Sequence, residues 1–366
     1  MVDTAWSKMV HEIRSFDEAT LADAKSVGVE MYSSGVCPLL EKILRNPLRE
    51  ELNGSAAGEI VYQDGKPVAF QAAVLRKLYL GNRAFVGVVG STLCSKPETS
   101  QVLLMKLMRE TIKPRYGSVL FFANTAIPAS AKMNRLLGVR GEVPQSCSKV
   151  RFAVFKWGAF IKFVLKERCP SFVVHALDFL GKPFQPWWAY RRLTDLTCSV
   201  DADIGEAYDQ FWKSYLDKNS GLVASRDGGA LRWMFQDQIK AGNAVLISLR
   251  DGAFVKGYVI AKAMGSERKR WMVVDWIAIG DDNKILSDLL CEMVHYLKTN
   301  TQAVWIEAIG YPMFAQPVLK RYLPLNRNLS DKVFLYKSYD VDIEGALTDV
   351  NERSWFWGAY DGDRCF

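Results

Sequence analysis

Residues 58–94 read GEIVYQDGKPVAFQAAVLRKLYLGNRAFVGVVGSTLC. Gly58–Gln63, Pro67–Leu80 and Ala84–Cys94 are continuous or alternating apolar runs, broken only by Asp64-Gly65-Lys66 and Gly81-Asn82. Such D-G and G-N breaks supply the positive φ of a tight hairpin, so the stretch is expected as a three-stranded antiparallel meander. Before it, Thr20–Tyr32 and Pro38–Leu52 read as helical segments. After it, Thr99–Thr111 carries Val102, Leu103, Met105, Leu107 and Met108 at helical spacing. Ser118–Ala123 then reads as a buried strand, Ser130–Leu137 as a short helix and Val150–Phe155 as a further strand.

The same order occurs again. Ile204–Leu216 and Ala230–Ile239 are helical. Ala244–Leu249, the turn Asp251-Gly252, Phe254–Met264 and Trp271–Ile279 form a second meander. Asn283–Thr299, Ala303–Ala308, Met313–Tyr322 and Lys332–Lys337 repeat helix, strand, helix, strand. The chain therefore reads as a duplication of a unit of ~140 residues, an ordinary domain size. The expected division is 1–156, a linker 157–200, a second unit 201–338, and a tail 339–366 whose Trp355, Phe356, Trp357 and Tyr360 should pack back onto the domains.

Composition narrows the function classes. With 366 residues, 49% hydrophobic and 24% charged, the chain is expected as a globular protein of two domains, or one large one, rather than a disordered one. No apolar run reaches the roughly 18–20 residues of a membrane span. The first residues carry charges where a signal peptide has its apolar stretch. Seven scattered cysteines without C-x-x-C, and three histidines without ligand spacing, suggest neither a disulfide framework nor a metal site. A reduced, cytoplasmic protein is expected, as a monomer or homodimer. No G-x-S-x-G or Cys–His pattern points to a covalent hydrolase.

Charge is unevenly spread. Residues 156–192 hold seven Lys/Arg against two Asp/Glu, and residues 338–366 hold two against seven. The basic stretch interleaves its cations with Trp157, Phe160, Phe163, Phe172, Phe179, Phe184, Trp187 and Trp188. It reads as a linker packed between the domains with its cations meeting the acidic tail. The alternative is a helix lying peripherally in a membrane interface, at the inner face. No nucleic-acid-binding module accompanies it, so nucleic acid is not an expected partner.

Several local stretches carry a resemblance. In the first copy they are the helix ending Leu103-Leu104-Met105-Lys106-Leu107-Met108, the strand Leu120-Phe121-Phe122-Ala123-Asn124, and Ser130-Ala131-Lys132-Met133-Asn134-Arg135-Leu136-Leu137-Gly138-Val139. In the second copy they are Val223-Ala224-Ser225-Arg226-Asp227, Leu231-Arg232-Trp233-Met234-Phe235, Val273-Val274-Asp275-Trp276 and Tyr360-Asp361-Gly362-Asp363. With the element order, these resemble the GNAT acyltransferase superfamily over nearly the whole chain, as two tandem copies. The second set is similar to the double-GNAT proteins of bacterial surface-polysaccharide gene clusters, related in architecture to Fem-type transferases. The resemblance implies an α/β fold of two GNAT-like domains packed as a pseudo-dimer, each a mixed, mostly antiparallel sheet flanked by helices. It implies transfer of an acyl group, acetyl first, from CoA to an amine or hydroxyl of a surface-polysaccharide sugar or its precursor. The other readings are a Fem-type transfer from aminoacyl-tRNA and a non-catalytic binding protein on the same fold.

The resemblance also assigns residues. The CoA pyrophosphate lies at the N-terminus of the helix after the fourth strand, where backbone N–H groups and the helix dipole favour an anion. Here that turn is Ser95-Lys96-Pro97-Glu98-Thr99-Ser100-Gln101. It implies Lys96, Thr99, Ser100 and Asn124 as cofactor ligands, with the oxyanion donor a backbone N–H at Leu93 or Cys94. The turn lacks glycine, and Thr99 or Ser100 serves equally as an ordinary helix cap. In the second copy Gly280-Asp281-Asp282-Asn283 would repel a pyrophosphate, so the first copy is the expected CoA site. Asn134 stands where many members place an acidic Tyr, and it cannot give up a proton. Asp275, a carboxylate inside an apolar strand, is the candidate base, with a structural ion pair to Arg226 or Arg232 as the alternative. Glu307 is a second candidate. Arg226, Arg232, Trp233, Asp361 and Asp363 are the expected acceptor residues; the terminal D-G-D also reads simply as a turn.

Overall fold

The computed structural model describes residues 11–32, 35–139, 141–142, 149–165, 192–310, 313–328, 333–348, 355–356 and 358–361. The first meander is present as β2 (Gly58–Gln63), β3 (Lys66–Leu80) and β4 (Arg83–Ser95), with β1 (His11–Ser15) on the outer edge of β2. Gly65 and Gly81 take φ of 78° and 55° in its two turns, the left-handed geometry that the D-G and G-N breaks anticipate. Helices α1 (Leu21–Tyr32), α2 (Val36–Leu44) and α3 (Pro47–Glu51) precede β2. After the meander come α4 (Gln101–Ile112), β5 (Ser118–Ala126) parallel to β4, α5 (Pro128–Leu136) and the short β6 (Gly141–Glu142).

The second unit repeats this with β8 (Thr197–Asp201), β10 (Ala244–Asp251), β11 (Phe254–Met264), β12 (Arg270–Ala278) and β13 (Trp305–Ile309), while the short β9 (Leu222–Ala224) before them joins the first sheet, beside β3 and Trp355–Phe356. Strand β13 runs parallel to β12, as β5 does to β4. The helical segment at Ala230–Ile239 is finer than its sequence period suggests. It runs Gly228–Leu231, widens into a π turn over Arg232–Gln236 and closes over Asp237–Lys240.

The two units exchange a strand. Strand β7 (Lys149–Val154), read within 1–156, hydrogen-bonds in the second sheet, between β13 and β14 (Leu325–Asn328). Strand β15 (Val333–Ser338), read within 201–338, returns to the first sheet between β5 and β6. The sheet orders are β1-β2-β3-β4-β5-β15-β6 and β14-β7-β13-β12-β11-β10-β8. One continuous apolar core runs through both units, from Phe70 and Phe122 to Tyr258 and Trp276.

Of the linker 157–200, the helix Trp157–Val164 packs its rings on the second unit, with Phe160 5.4 Å from Trp305. Arg192 pairs with Glu292, and Asp340 and Asp342 of the tail pair with Arg83. Arg192 of the linker thus meets a helix of the second unit; residues 166–191 lie outside the described residues. Among the described residues no helix is long and apolar enough to cross a membrane.

Candidate functional site

In the first unit β4 and β5 pair only from Val86–Ser118 to Val89–Phe122, while both strands continue, to Ser95 and Ala126. Beyond that point they part. The opening forms a cavity of about 520 Å³, within the usual range of a small-ligand site. Gly90, Ser91, Thr92 and Leu93 of β4 form its floor, Ala123 and Ala126 of β5 one side, Ser130 and Asn134 of α5 the rim, and Val36 and Leu39 of α2 the roof.

The floor is distorted by a bulge. Ser91 faces Ala72 and Leu93 faces Gln71, leaving Thr92 without a partner residue across the ladder. Thr92 has φ 46°, strained for a β-branched side chain. Bulges of this kind re-aim backbone groups beside active sites. The absence of a side chain at Gly90 keeps the floor open: a Cβ there would lie 2.7 Å from the Phe121 ring and 3.3 Å from Gln71 Nε2.

Two amide side chains line the cavity without full satisfaction. Gln71 and Asn134 are only 5% and 3% exposed, and Gln71 Oε1 and Asn134 Oδ1 accept no hydrogen bond. A buried, unsatisfied carbonyl costs about 1–3 kcal/mol, so native proteins keep few of them. Sequence reading singled out Asn134 but passed over Gln71, which is a polar residue in the middle of an apolar strand. That interruption was the available signal.

The neighbouring turn is built as a helix start. Ser100 caps α4 by accepting from Leu103 N–H, Thr99 donates to the Val68 carbonyl at 3.0 Å, and Lys96 lies 3.2 Å from Glu30. Leu93 lines the cavity. Cys94 instead turns into the core, where burial pushes its thiol up to about 12. Asn124 lies on β5, but its side chain falls outside the described residues.

The second unit has the same geometry, closed. Pairing of β12 with β13 stops at Val273–Ala308, and a bulge leaves Val274 between Val273 opposite Ala261 and Asp275 opposite Ile260. Asp275 thus holds the register position of Leu93. It is 1% exposed, accepts from Arg226 Nε at 3.0 and 3.1 Å, and accepts from the Tyr258 hydroxyl at 2.6 Å. The ion pair of the alternative is present: Arg226 and the Tyr258 hydroxyl engage the carboxylate inside the core. Burial works against the Arg226 charge, but Asp275 and Asp361 outweigh it and hold the guanidinium protonated.

The tail closes this cleft. Gly358 bridges to Gly310, just past β13, and the turn Ala359–Asp361 lies against β12. Asp361 Oδ2 accepts from Gly358 N–H at 2.8 Å and faces Arg226 at 3.4 Å. Burial raises its carboxyl against the pull of Arg226. The Tyr360 ring covers the Arg226 guanidinium at 4.3 Å, and its carbonyl accepts from Arg76 of β3 at 2.8 Å. The following turn is likewise taken: Asp282 caps the helix Asn283–Asn300, and Asp281 accepts from the Tyr215 hydroxyl.

Glu307, Arg232 and Trp233 do not converge with these residues. Glu307 is buried between Arg270 and Arg327. Arg232 donates to the Ile204 carbonyl, and Trp233 donates to the Lys42 carbonyl between the units. Arg226 and Asp361 belong to the closed cleft, and Asp363 lies outside the described residues.

No family model matches this chain, and no curated protein matches it in sequence. Solved structures do match in fold. A GCN5-related N-acetyltransferase from Anabaena variabilis aligns with a TM-score of 0.59 at 11% identity, covering 91% of this chain and 74% of that one. One from Kribbella flavida gives 0.56 at 11%, covering 91% and 72%. Saccharomyces cerevisiae N-myristoyltransferase with bound myristoyl-CoA gives 0.53 at 11%, covering 89% and 78%. The chain shares the fold of these structures, in two α/β units.

Proposed function

We propose that the first unit binds an acyl-CoA in the β4–β5 cavity and transfers the acyl group, acetyl first, directly to an acceptor. The observation that carries this is the open, bulged cleft with its unsatisfied Gln71 and Asn134, set beside an equivalent cleft filled by the chain's own tail. The activated thioester is what acyl-CoA supplies. The protein's part is to hold the reactants together and to place backbone N–H groups of the Ser91–Leu93 bulge where negative charge develops. The phosphate end would rest on the α4 N-terminus and on Lys96. In the second unit Asp275 sets a carboxylate at the oxyanion position, which opposes the same reaction there. The acceptor is an amine or hydroxyl of a surface-polysaccharide sugar or precursor, on the strength of the sequence resemblance alone.

A second reading, a binding protein on this fold without transfer, is favoured by the cavity lining: among the described residues it holds no titratable side chain. Calorimetric titration with acetyl-CoA and with CoA, followed by an assay of thiol release, separates the two. One site per chain with turnover supports transfer, and binding without turnover supports the second reading. Lys96→Glu should weaken the CoA complex at least tenfold; an unchanged affinity would move the phosphate end elsewhere.

A further inference from the structure

The roof of the open cavity is held from both units. Helix α2, which supplies that roof through Val36 and Leu39, is nine residues long. Within the first unit Glu41 of α2 pairs with Lys25 of α1 at 2.5 Å. The next residue is gripped by the second unit. Trp233 Nε1 donates to the Lys42 carbonyl at 2.9 Å, and Lys42 Nζ donates to the Met234 carbonyl. The two bonds run in opposite directions between the same two segments, so Lys42 is fixed at its backbone and at its side-chain end.

Both partners of Lys42 lie in the π turn Arg232–Gln236. Single π turns inside α-helices are rare and recur at functional sites. This one presents a ring N–H and a carbonyl to α2 from adjacent residues. Trp233 is itself packed from behind: the buried Arg76 guanidinium lies 5.5 Å from its ring and 5.0 Å from the Tyr360 ring. Arg76 also donates to the Tyr360 carbonyl at 2.8 Å. The tail that fills the second cleft is thus joined, through Arg76, to the residue that grips the roof of the first.

We infer that Trp233 and Lys42 are positioning residues: the second unit latches α2 and so fixes Val36 and Leu39 over the ligand of the first unit. The inference rests on the acyl-CoA reading of that cavity. A helix this short moves as a rod. Val36 lies six residues from Lys42, about 9 Å along the axis at ~1.5 Å per residue, so a tilt of ~10° at the latch carries it about 1.5 Å. Misplacements of ~1 Å can cost about a hundredfold in a site that works by positioning. The second unit, its own cleft closed, keeps a role in the first.

The test compares the full chain with Lys42→Met, Trp233→Phe and the two combined, which remove one donor each and leave an apolar side chain in place. Each protein is read twice: hydrogen exchange of the α2 amides by mass spectrometry without ligand, and acetyl-CoA affinity by calorimetry. Each single substitution should speed α2 exchange roughly three- to tenfold, and the pair at least about tenfold. The pair should also weaken acetyl-CoA at least ~fivefold. Asp288→Asn is the control: this buried carboxylate accepts from Leu193 and Thr194 N–H at 2.7 and 2.8 Å, outside α2 and the π turn. It should lower the melting temperature and leave both readouts within about twofold. Unchanged α2 exchange in the double variant would overturn the latch. Faster exchange at unchanged acetyl-CoA affinity would overturn its positioning role, and so would an equal loss of affinity in the control. Failure of acetyl-CoA to bind the unsubstituted chain would instead remove the acyl-CoA reading and the positioning role with it; that failure is told apart because α2 exchange still answers to the two substitutions.

Discussion

Replacing Asp275 by Asn asks whether this carboxylate anchors the fold or acts in catalysis. Asp275 and Arg226 are 1% and 0% exposed, and their contacts comprise the two Nε distances of 3.0 and 3.1 Å and the Tyr258 hydroxyl at 2.6 Å. Asn keeps the shape and one acceptor but removes the charge. Asp361 at 3.4 Å is then the charged partner facing Arg226, beside the Ala224 carbonyl at 2.8 Å and the Tyr360 ring at 4.3 Å. Breaking one partner of a fully buried pair costs about 3–5 kcal/mol. The acceptor that Asn retains returns ~1 kcal/mol of this, so a net loss of about 3 kcal/mol is expected. At roughly 2–4 °C per kcal/mol for a unit of this size, the melting temperature should fall by about 6–12 °C. The assay is thermal unfolding by circular dichroism, paired with acetyl-CoA calorimetry at a temperature where the variant is folded. Affinity should stay within twofold, because the open cleft is in the other unit. An Asp275→Asn variant that melts at the wild-type temperature yet loses turnover would refute the anchor reasoning and restore Asp275 as a base.

Other outcomes follow from the same contacts. Gly90→Val fills the cavity floor against Phe121 and Gln71; it should abolish acetyl-CoA binding in calorimetry and cost about 1–3 kcal/mol of stability by overpacking. Tyr360→Ala removes a fully buried ring whose hydroxyl donates to the Ser225 carbonyl. It should cost ~3–5 kcal/mol in denaturant unfolding. The acetyl-CoA stoichiometry should stay at one, since Asp275 and Asp281 still oppose an anionic ligand in the opened cleft. Burial disfavours the Asp201 carboxylate, but hydrogen bonds from Ser199, Tyr208, Ser248 and Arg250 outweigh it and hold it below its ordinary 3.8. A carboxyl depressed in the fold contributes fully above its unfolded value, and that contribution is lost as pH falls through the folded one. Asp201→Asn should therefore lower stability at neutral pH and flatten its decline between roughly pH 5 and 2, measured as melting temperature against pH.

Local chemistry determined a large part of this protein. The Asp64-Gly65 and Gly81-Asn82 turns, the alternating runs between them and the helical spacing of Leu103, Leu107 and Met108 act over a few residues. With Asp251-Gly252 and the runs around it in the second copy, they placed both meanders and the order of elements twice. Those signals survive in one dimension because hairpin φ values and helical periods are properties of neighbours in sequence. Tertiary structure alone decided which sheet a short apolar strand joins: β7 and β15 have nothing in Lys149–Val154 or Val333–Ser338 that marks them for exchange. It also decided the fates of two equivalent clefts. Asp275 reads as a candidate base until Arg226, Tyr258 and the returning tail enclose it, and Gln71 reads as a strand residue until β4 and β5 part beside it. The physical reason is the same in each case. Burial, ion pairing and an unsatisfied carbonyl depend on what packs around a side chain, and those neighbours come from segments up to hundreds of residues away.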